Sequence, residues 1–372
     1  MKRRYEPLLC HLKSIRQSRG LTQSQLAEWV GVRRQGIYDI ESGRYLPNTA
    51  LALRLASHLG CKVEDLFTER SSTEVQPVMV SEKPDQDSPR VTVAKVRGRL
   101  VAYPLAGKHA LNDGFQAAQG LLEPNGTKVR LLCPEDVPEK SVFLLGCDPA
   151  FSILSEHVLR NGPEISVHCR FASSHRALEL LAAGRAHVAG THLHNTGPME
   201  SNVRLAKRML LGSKALLIGF SRVEEGLMVA PGNPFAIRTA ADLAQTGLRL
   251  VNREPGAALR VLLDDYLSRA GVPPRAVKGY TNLVASHLEG AQMVADHSAD
   301  AALGLRAVAN TFGLRFVPIE AARCDLVVPC DLMDHLSIRI LLDTLHTRRL
   351  REELASLAGY DSSHTGEVIA EV

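Results

Sequence analysis

The chain has no run of about 18 uncharged apolar residues, the length that a membrane-spanning helix requires, and so a transmembrane helix is excluded. Its first residues, MKRRYEP, lack the apolar core of a signal peptide, and the expectation is a cytoplasmic protein with no membrane partner. There are seven cysteines, an odd number without CxxC spacing. That usage agrees with a reducing compartment and free thiols rather than a disulfide framework. Also missing are a glycine-rich phosphate loop, a nucleophile and base at diagnostic spacing, and a cluster of zinc ligands. His192 and His194 form an HxH pair, but without a third ligand at fixed spacing it is weak evidence for a metal. These absences argue against an enzyme and against a resident metal or cofactor.

What is present is enough for more than one core. At 372 residues with 45% hydrophobic content, two or three domains are expected. Charge is unevenly placed. Residues 1–70 carry twelve Lys and Arg against seven Asp and Glu, a net of +5, and since the whole chain is +4 the remainder is near −1. A small basic module on a near-neutral body is what attraction to a phosphate backbone asks for.

That module contains LTQSQLAEWVGVRRQGIYDIESGRYLP, residues 21–47. Thr22 with Gln25 has capping-box spacing for the start of a helix. Leu26, Ala27 and Val30 share one face, and Gly31 stands where a helix ends in a left-handed turn. A second helix follows, with Ile37, Ile40 and, past the next turn, Leu46 expected inward. Arg33, Arg34, Gln35 and Tyr38 fall on its wet face. This is the geometry that enters a DNA major groove, where Arg pairs with guanine and Gln with adenine. The stretch resembles the Cro and repressor type of helix-turn-helix family over about residues 8–68. The matching positions are LTQSQLA, Gly31-Val32, RRQ, Ile37, the run Ile40 to Gly43, Pro47 and LALRLASHLGCKVEDLF. Arg33 and Gly36 depart from the pattern, since family members commonly place Ser at the first of these positions and a small hydroxyl residue at the second. The resemblance implies a double-stranded DNA operator contacted by Thr22, Gln23, Arg33, Arg34, Gln35, Tyr38 and Arg44.

Residues 69–90 turn polar, Pro-bearing and aperiodic, and read as a linker. Residues 91–139 read as a β-rich connecting segment, with a hairpin through Arg97-Gly98 and a strand at 128–133. From Ser141 onward strand, turn and helix alternate: VFLLG before Cys147-Asp148, ISVHCRF before Ser173-Ser174, AHVAG before Thr191-His192, LRLVN before Arg253-Glu254, VKGY before a helix from Val284, and ADAALGL before Arg306. Such βα units argue for parallel sheets with ligands at the carboxyl ends of the strands. A strand at 323–329 and one amphipathic helix from about Met333 to Leu357 close the pattern.

Residues 140–362 resemble the cytoplasmic solute-binding-like domain found fused to helix-turn-helix segments, itself similar to periplasmic molybdate-binding proteins. The resemblance is carried by GCDPAFSIL, SSHRALELLAAGRAHVAGTHLHN, EGLMVAPGNP, VNREPGAALRVLLDDYL, the GYTN to AVA stretch, LRFVPIE and the final GYD. The implied architecture is an all-α helix-turn-helix domain (1–68) followed by an α/β, two-lobed, type II solute-binding-like domain (140–372). Lobe 1 takes about 140–229 and 326–372, and lobe 2 about 230–325. An oxyanion site on this fold needs helix N-termini and hydroxyls. Candidates are Cys147, Asp148, Ser173, Ser174, Thr191 and His192 in the first lobe. The second lobe offers Asn252, Arg253, Gly256, Arg260, Ser286, His287 and Arg306. Asp148 and Ser173 suit helix capping equally well, Cys147 suits a small core position, and Arg253 suits an ion pair between lobes. Asp148 and Glu254 would repel a dianion unless turned away or paired.

The reading that results is a transcription regulator, a homodimer on DNA, whose second domain senses a small-molecule or oxyanion effector. Molybdate or tungstate is the first candidate and a small carboxylate the second. Two other readings stay open: an enzyme or carrier of molybdenum-cofactor metabolism with an autoregulatory DNA-binding domain, and a DNA-binding protein whose second domain only dimerises.

Overall fold

The computed structural model describes residues 9–68, 76–81, 88–106, 115–194 and 201–372. The chain divides into two compact units, Met1–Val75 and Gln76–Val372.

In the first unit a two-residue strand β1 (Leu9–Cys10) precedes helices α1 (Leu12–Ser18), α2 (Gln23–Val30), α3 (Arg34–Glu41), α4 (Thr49–Leu59) and α5 (Val63–Leu66). Strand β2 (Phe67–Thr68) returns antiparallel to β1. Helix α2 starts where the capping box places it: Gln25 N–H donates to Thr22 Oγ1 at 3.2 Å, and Thr22 N–H donates to Gln25 Oε1 at 2.9 Å. It stops at Gly31, whose φ of 69° is the left-handed conformation that glycine adopts without Cβ strain. The core is one cluster built on Leu12, Leu26, Ile37, Ile40, Leu55 and Leu66. Each such side chain contributes about 1.5–3 kcal/mol on burial. Leu46 differs from the sequence expectation. It is 53% exposed, because the chain has left α3 through Ser42 and Gly43 and no longer follows the helical period.

A buried ion pair fastens α1 to α3. Arg16 Nε lies 2.6 Å from Glu41 Oε1, with both side chains under a tenth exposed. Gln23 Nε2 donates to the same carboxylate at 2.8 Å, so Glu41 holds three helices in register.

The second unit begins with a six-stranded sheet in the order β3-β8-β7-β5-β6-β4. Its strands are β3 (Gln76–Pro77), β4 (Met79–Val80), β5 (Arg90–Val96), β6 (Arg99–Pro104), β7 (Gly120–Leu122) and β8 (Lys128–Leu131). Residues 76–80 therefore belong to this sheet and not to a linker. Two-residue edge strands carrying Pro77 leave no alternation for the sequence to show. Ser81 N–H donates to the carbonyl of Ala102 in β6 and Arg90 opens β5, while 69–75 and 82–87 of the expected linker lie outside the described residues.

The two-lobed body follows, and its described elements in chain order are β9 (Ser141–Gly146), α6 (Phe151–Asn161), β10 (Ser166–Phe171), α7 (Ser174–Ala182), β11 (Val188–His192), α8 (Ser201–Met209), β12 (Ala215–Val229), β13 (Leu250–Arg253), α9 (Ala258–Arg269), β14 (Leu283–Val284), α10 (His287–Ala295), β15 (Ala301–Leu305), α11 (Arg306–Thr311), β16 (Arg315–Pro329), α12 (Leu336–Leu345), α13 (Arg348–Ala355), β17 (Tyr360–Asp361) and β18 (Val368–Glu371). The sheet order is β10-β9-β11-β16-β12-β15-β13-β14, with β17 and β18 also on β12. The outer strands pair parallel, as βα units require. The two 15-residue strands β12 and β16 pair antiparallel and run through both lobes.

Those long strands correct the lobe boundaries. The crossing falls inside β12 and β16, where the register shifts between Gly219 and Ser221 and again between Glu225 and Gly226. A Cβ at Gly226 would overlap the carbonyl oxygen of Val317, so only glycine lets β12 and β16 pass so closely there, and one at Gly219 would overlap the carbonyl oxygen of His364 in the turn before β18. Two further corrections concern helices and strands. The closing helix is two, α12 and α13, broken at His346-Thr347. VKGY, residues 277–280, is not a strand but a bend and turn that follows the 3₁₀ turn at 274–276, and its place in the sheet is taken by β14.

Removing Glu41 would strand a buried guanidinium. The Glu41→Ala variant should lose about 3–5 kcal/mol from the first unit, read as a lower urea midpoint for its unfolding. A midpoint equal to wild type would mean that the pair holds nothing.

Candidate functional site

In the first unit Arg33, Arg34, Gln35, Tyr38 and Arg44 are all exposed. Arg33 is the N-cap of α3 and makes no side-chain cap bond, so the first N–H groups of this helix are left to water or to an incoming phosphate. Arg44 lies over the Tyr38 ring at 5.6 Å, and Gln35 Nε2 donates to Asp39 at 3.0 Å, one turn on. Thr22 and Gln23 stand apart from these: the first caps α2 and the second holds Glu41. Both therefore have a structural partner; the capping box showed that of Thr22, but nothing in the sequence pattern showed that of Gln23.

In the second unit the strand ends and helix starts of both lobes meet at a small void of about 10 Å³, room for roughly one water. It is lined by Cys147, Ser173, Ser174, His192, Arg253, His287 and the first turn of α9 from Ala257 to Leu259. Three helices thus start at this void. Ser173 caps α7, Ser286 caps α10 by accepting from Glu289 N–H at 3.1 Å, and α9 begins at Ala258 with no side-chain cap. Gly256 is not the helix start; with φ 88° it makes the turn before it. Arg253 is only 3% exposed. Its guanidinium stacks 5.0 Å from the Phe171 ring and pairs with Glu254 at 3.0 Å, so its ion pair lies within its own lobe.

Behind the void runs a chain of buried polar groups. Cys147 Sγ lies 3.0 Å from His192 Nδ1, and His192 Nε2 lies 2.9 Å from Glu225 Oε1. The other oxygen of Glu225 lies 2.8 Å from His194 Nε2. Burial alone would push Glu225 up, but the two imidazoles pull it down to about 2. Burial likewise opposes charge on His192, yet Cys147 and Glu225 outweigh it and hold the imidazole well above its ordinary value. His287 is the reverse case. Burial, with Arg253 and His192 nearby, lowers it to about 3 and keeps it neutral. Neither of its ring nitrogens makes a hydrogen bond of good geometry among the described residues.

Asp148 is turned away from the void. Its carboxylate accepts from Tyr360 Oη at 2.6 Å, Ser221 Oγ at 3.2 Å and Ala150 N–H at 2.9 Å, tying the start of α6 to the crossing strand and to β17. Four other predicted residues are engaged elsewhere. Thr191 Oγ1 donates to the carbonyl of Asp325, and Asn252 Nδ2 to that of Tyr280. Arg260 pairs with Asp264 over the Tyr280 ring, and Arg306 pairs with Glu224 over Phe316. The sequence reasoning missed Glu225 and Phe171. A charged residue followed at once by the apolar run GLMV was the only signal for the first. Among the described residues no group of three His, Cys, Asp or Glu side chains could hold a metal ion.

A second, larger cavity of about 280 Å³ adjoins the void, sharing Cys147 and His287 with it. Phe151, Phe171, Cys169, Pro149 and Leu288 are among its walls.

Comparison with known proteins follows the division into two units. Residues 155–346 match the PBP superfamily domain and residues 12–66 match a helix-turn-helix domain. The uncharacterized protein YvgK of Bacillus subtilis (strain 168) is 31% identical over 271 residues, 73% of this chain and 82% of its own length. The uncharacterized HTH-type transcriptional regulator MJ0272 of Methanocaldococcus jannaschii is 46% identical over 56 residues, 15% of this chain and 85% of its own. Among solved structures, the sulfate-binding protein SubI from Mycobacterium tuberculosis H37Rv aligns at a TM-score of 0.45 and 15% identity, over 59% of this chain and 86% of that one.

The Glu225 cluster sets a pH window. A carboxylate lowered from 4.5 contributes stability above that value and loses it as pH falls toward about 2. An imidazole raised above 6.5 contributes below that value and loses it as pH rises. Both contributions are whole between pH 4.5 and 6.5. There Glu225→Gln should cost the second unit about 3–5 kcal/mol, and the gap to wild type should narrow toward alkaline pH. A gap that stays constant from mildly acid to alkaline pH in urea titrations would refute the assignment.

Proposed function

This chain belongs to the PBP superfamily through its larger domain and carries a helix-turn-helix domain before it, and from that pairing we propose a DNA-binding transcription regulator whose larger domain senses a small anion. The observation that carries the sensor reading is the void itself. Three helix N-termini, a buried guanidinium and a neutral imidazole surround one small space between two lobes. Each helix start contributes about half a positive charge, and together they hold an anion without a second buried counter-charge. Asp148 and Glu254, the two acids that would oppose an anion, are bonded away from the void or neutralised by Arg253. Molybdate and tungstate are the candidates that family resemblance alone gives, larger than the void as it stands, and a small carboxylate suits the Arg253 fork.

On the DNA side, Arg34 and Gln35 are the proposed base-reading pair, with Arg33 and Arg44 at the phosphates. One recognition helix per chain reads one half-site, so the regulator acts as a homodimer on an inverted repeat in the cytoplasm. For an effector to move operator affinity tenfold it must distinguish two states of the protein by about 1.4 kcal/mol, within reach of one charge-assisted hydrogen bond.

One set of measurements covers both halves of the proposal. Gel shifts on the promoter of its own gene should show two chains per site. The Arg34→Ala, Gln35→Ala double variant should bind at least tenfold more weakly, with relaxed base selectivity. Calorimetry with molybdate, tungstate, sulfate and small carboxylates should find at least one anion that binds wild type, binds Arg253→Ala at least tenfold more weakly, and shifts operator affinity. If no anion binds, or one binds and operator affinity stays put, the larger domain is a scaffold and not a sensor.

A further inference from the structure

The void is too small for a tetrahedral ion of five heavy atoms, having space for about one water. The cavity beside it is not. At about 280 Å³ it comes near the lower end of the range, about 300–1,000 Å³, that small-molecule sites occupy. Its walls are mostly apolar. The Phe151 ring is wedged against Gly146 and Gly190, where no Cβ would fit, and packs on Phe220 at 5.0 Å, so this wall is rigid. Phe171 stands at the charged end, its ring under the Arg253 guanidinium and edge-on to His287 at 6.5 Å. The polar members of the wall are largely committed: Asp148 to Tyr360, Ser152 to the carbonyl of Pro149, and Arg170 stacked 4.9 Å over Tyr103. His287 is the exception. It sits at the waist between void and cavity, 3% exposed, with the Cys147 backbone as a polar neighbour and neither ring nitrogen in a well-formed hydrogen bond among the described residues.

Charge points the same way as shape. Among the described residues Arg253 is the one guanidinium lining the void, and Glu254 already shares it. His287 is held neutral, and the imidazoles of His192 and His194, both favoured in their charged forms by the Glu225 carboxylate, face that carboxylate. Such a site balances one negative charge better than two, and a bare dianion would leave the apolar walls wet.

We infer that the effector is an organic monocarboxylate with an apolar body. Its carboxylate meets Arg253 and the first turns of α7 and α9 at the void, His287 bonds it at the waist, and its body lies between Phe151, Phe171 and Leu288. This rests on the anion-sensor reading above and narrows it.

The test is calorimetry on the full chain with the straight-chain acids from acetate to hexanoate, with benzoate, and with molybdate and sulfate. Affinity should rise about fourfold per added methylene until the cavity is full, with a heat-capacity change growing more negative along the series. Benzoate should bind at least tenfold more tightly than acetate. Ser152 lines the cavity from an exposed position on α6. Ser152→Trp should weaken hexanoate and benzoate at least tenfold and leave acetate within twofold. Should that variant not fold, the wild-type series decides alone. A flat series, with molybdate or sulfate bound as tightly as any acid, overturns the monocarboxylate and leaves the anion sensor standing. No binding by any anion overturns both.

Discussion

A carboxylate with no solvent exposure, held between two imidazoles, fixes the geometry of the larger domain. Glu225 sits in β12 where that strand shifts register on passing from one lobe to the other. Unpaired, such a charge would cost several kcal/mol. His192 and His194 meet it from β11 and the residues just after it, so the lobe-crossing strand and the edge of the first-lobe sheet cannot separate cheaply. The same contact turns the far nitrogen of His192 toward Cys147, while Ser174 Oγ accepts from the backbone N–H of His192 at 3.1 Å. One buried pair thereby sets the floor of the void and the start of α7.

The C-terminal strands reinforce this point. Tyr360 reaches Asp148 from β17, and Thr365 Oγ1 donates to the carbonyl of Phe220 at 2.6 Å. Both contacts land on β12 or on the helix start beside it. The first lobe, the crossing strand and the C-terminus therefore form one hydrogen-bonded block, while α9, α10 and Arg253 approach from the second lobe. A ligand at the void touches both sides of that divide, which is where differential binding to two states can arise.

Local chemistry made part of this legible. Thr22, Gln25 and Gly31 announced α2 because caps act within a few residues, and the βα units from Ser141 showed because each strand is a short apolar run before a polar turn. Leu46 was misread because the helical period was carried past Gly43, where the backbone had already turned. Of the long strand β16 only 323–329 was read, because Pro318 and Glu320 break the apolar alternation before it, and in β12 Gly219 and Gly226 do the same at the crossing. At the site the residue types were readable but not their partners. Arg306 faces Glu224, 82 positions away in sequence, Thr191 faces Asp325, and nothing local sets these apart from Arg253 and Ser174, which do line the void. Glu225 was missed for the same reason: its partners come from another strand.

The central claim, that the three helix starts at the void form an anion site, is tested most directly by amide hydrogen exchange. In the free protein the first-turn N–H groups of α7, α9 and α10 have no carbonyl to bond within their helices, and those not held by a cap should exchange fast. With a saturating anion, the amides at Ser174, Ala258 and His287 should slow together by tenfold or more, and Arg253→Ala should abolish the effect. Saturation that leaves these amides unchanged and protects others would place the ligand elsewhere and contradict the account.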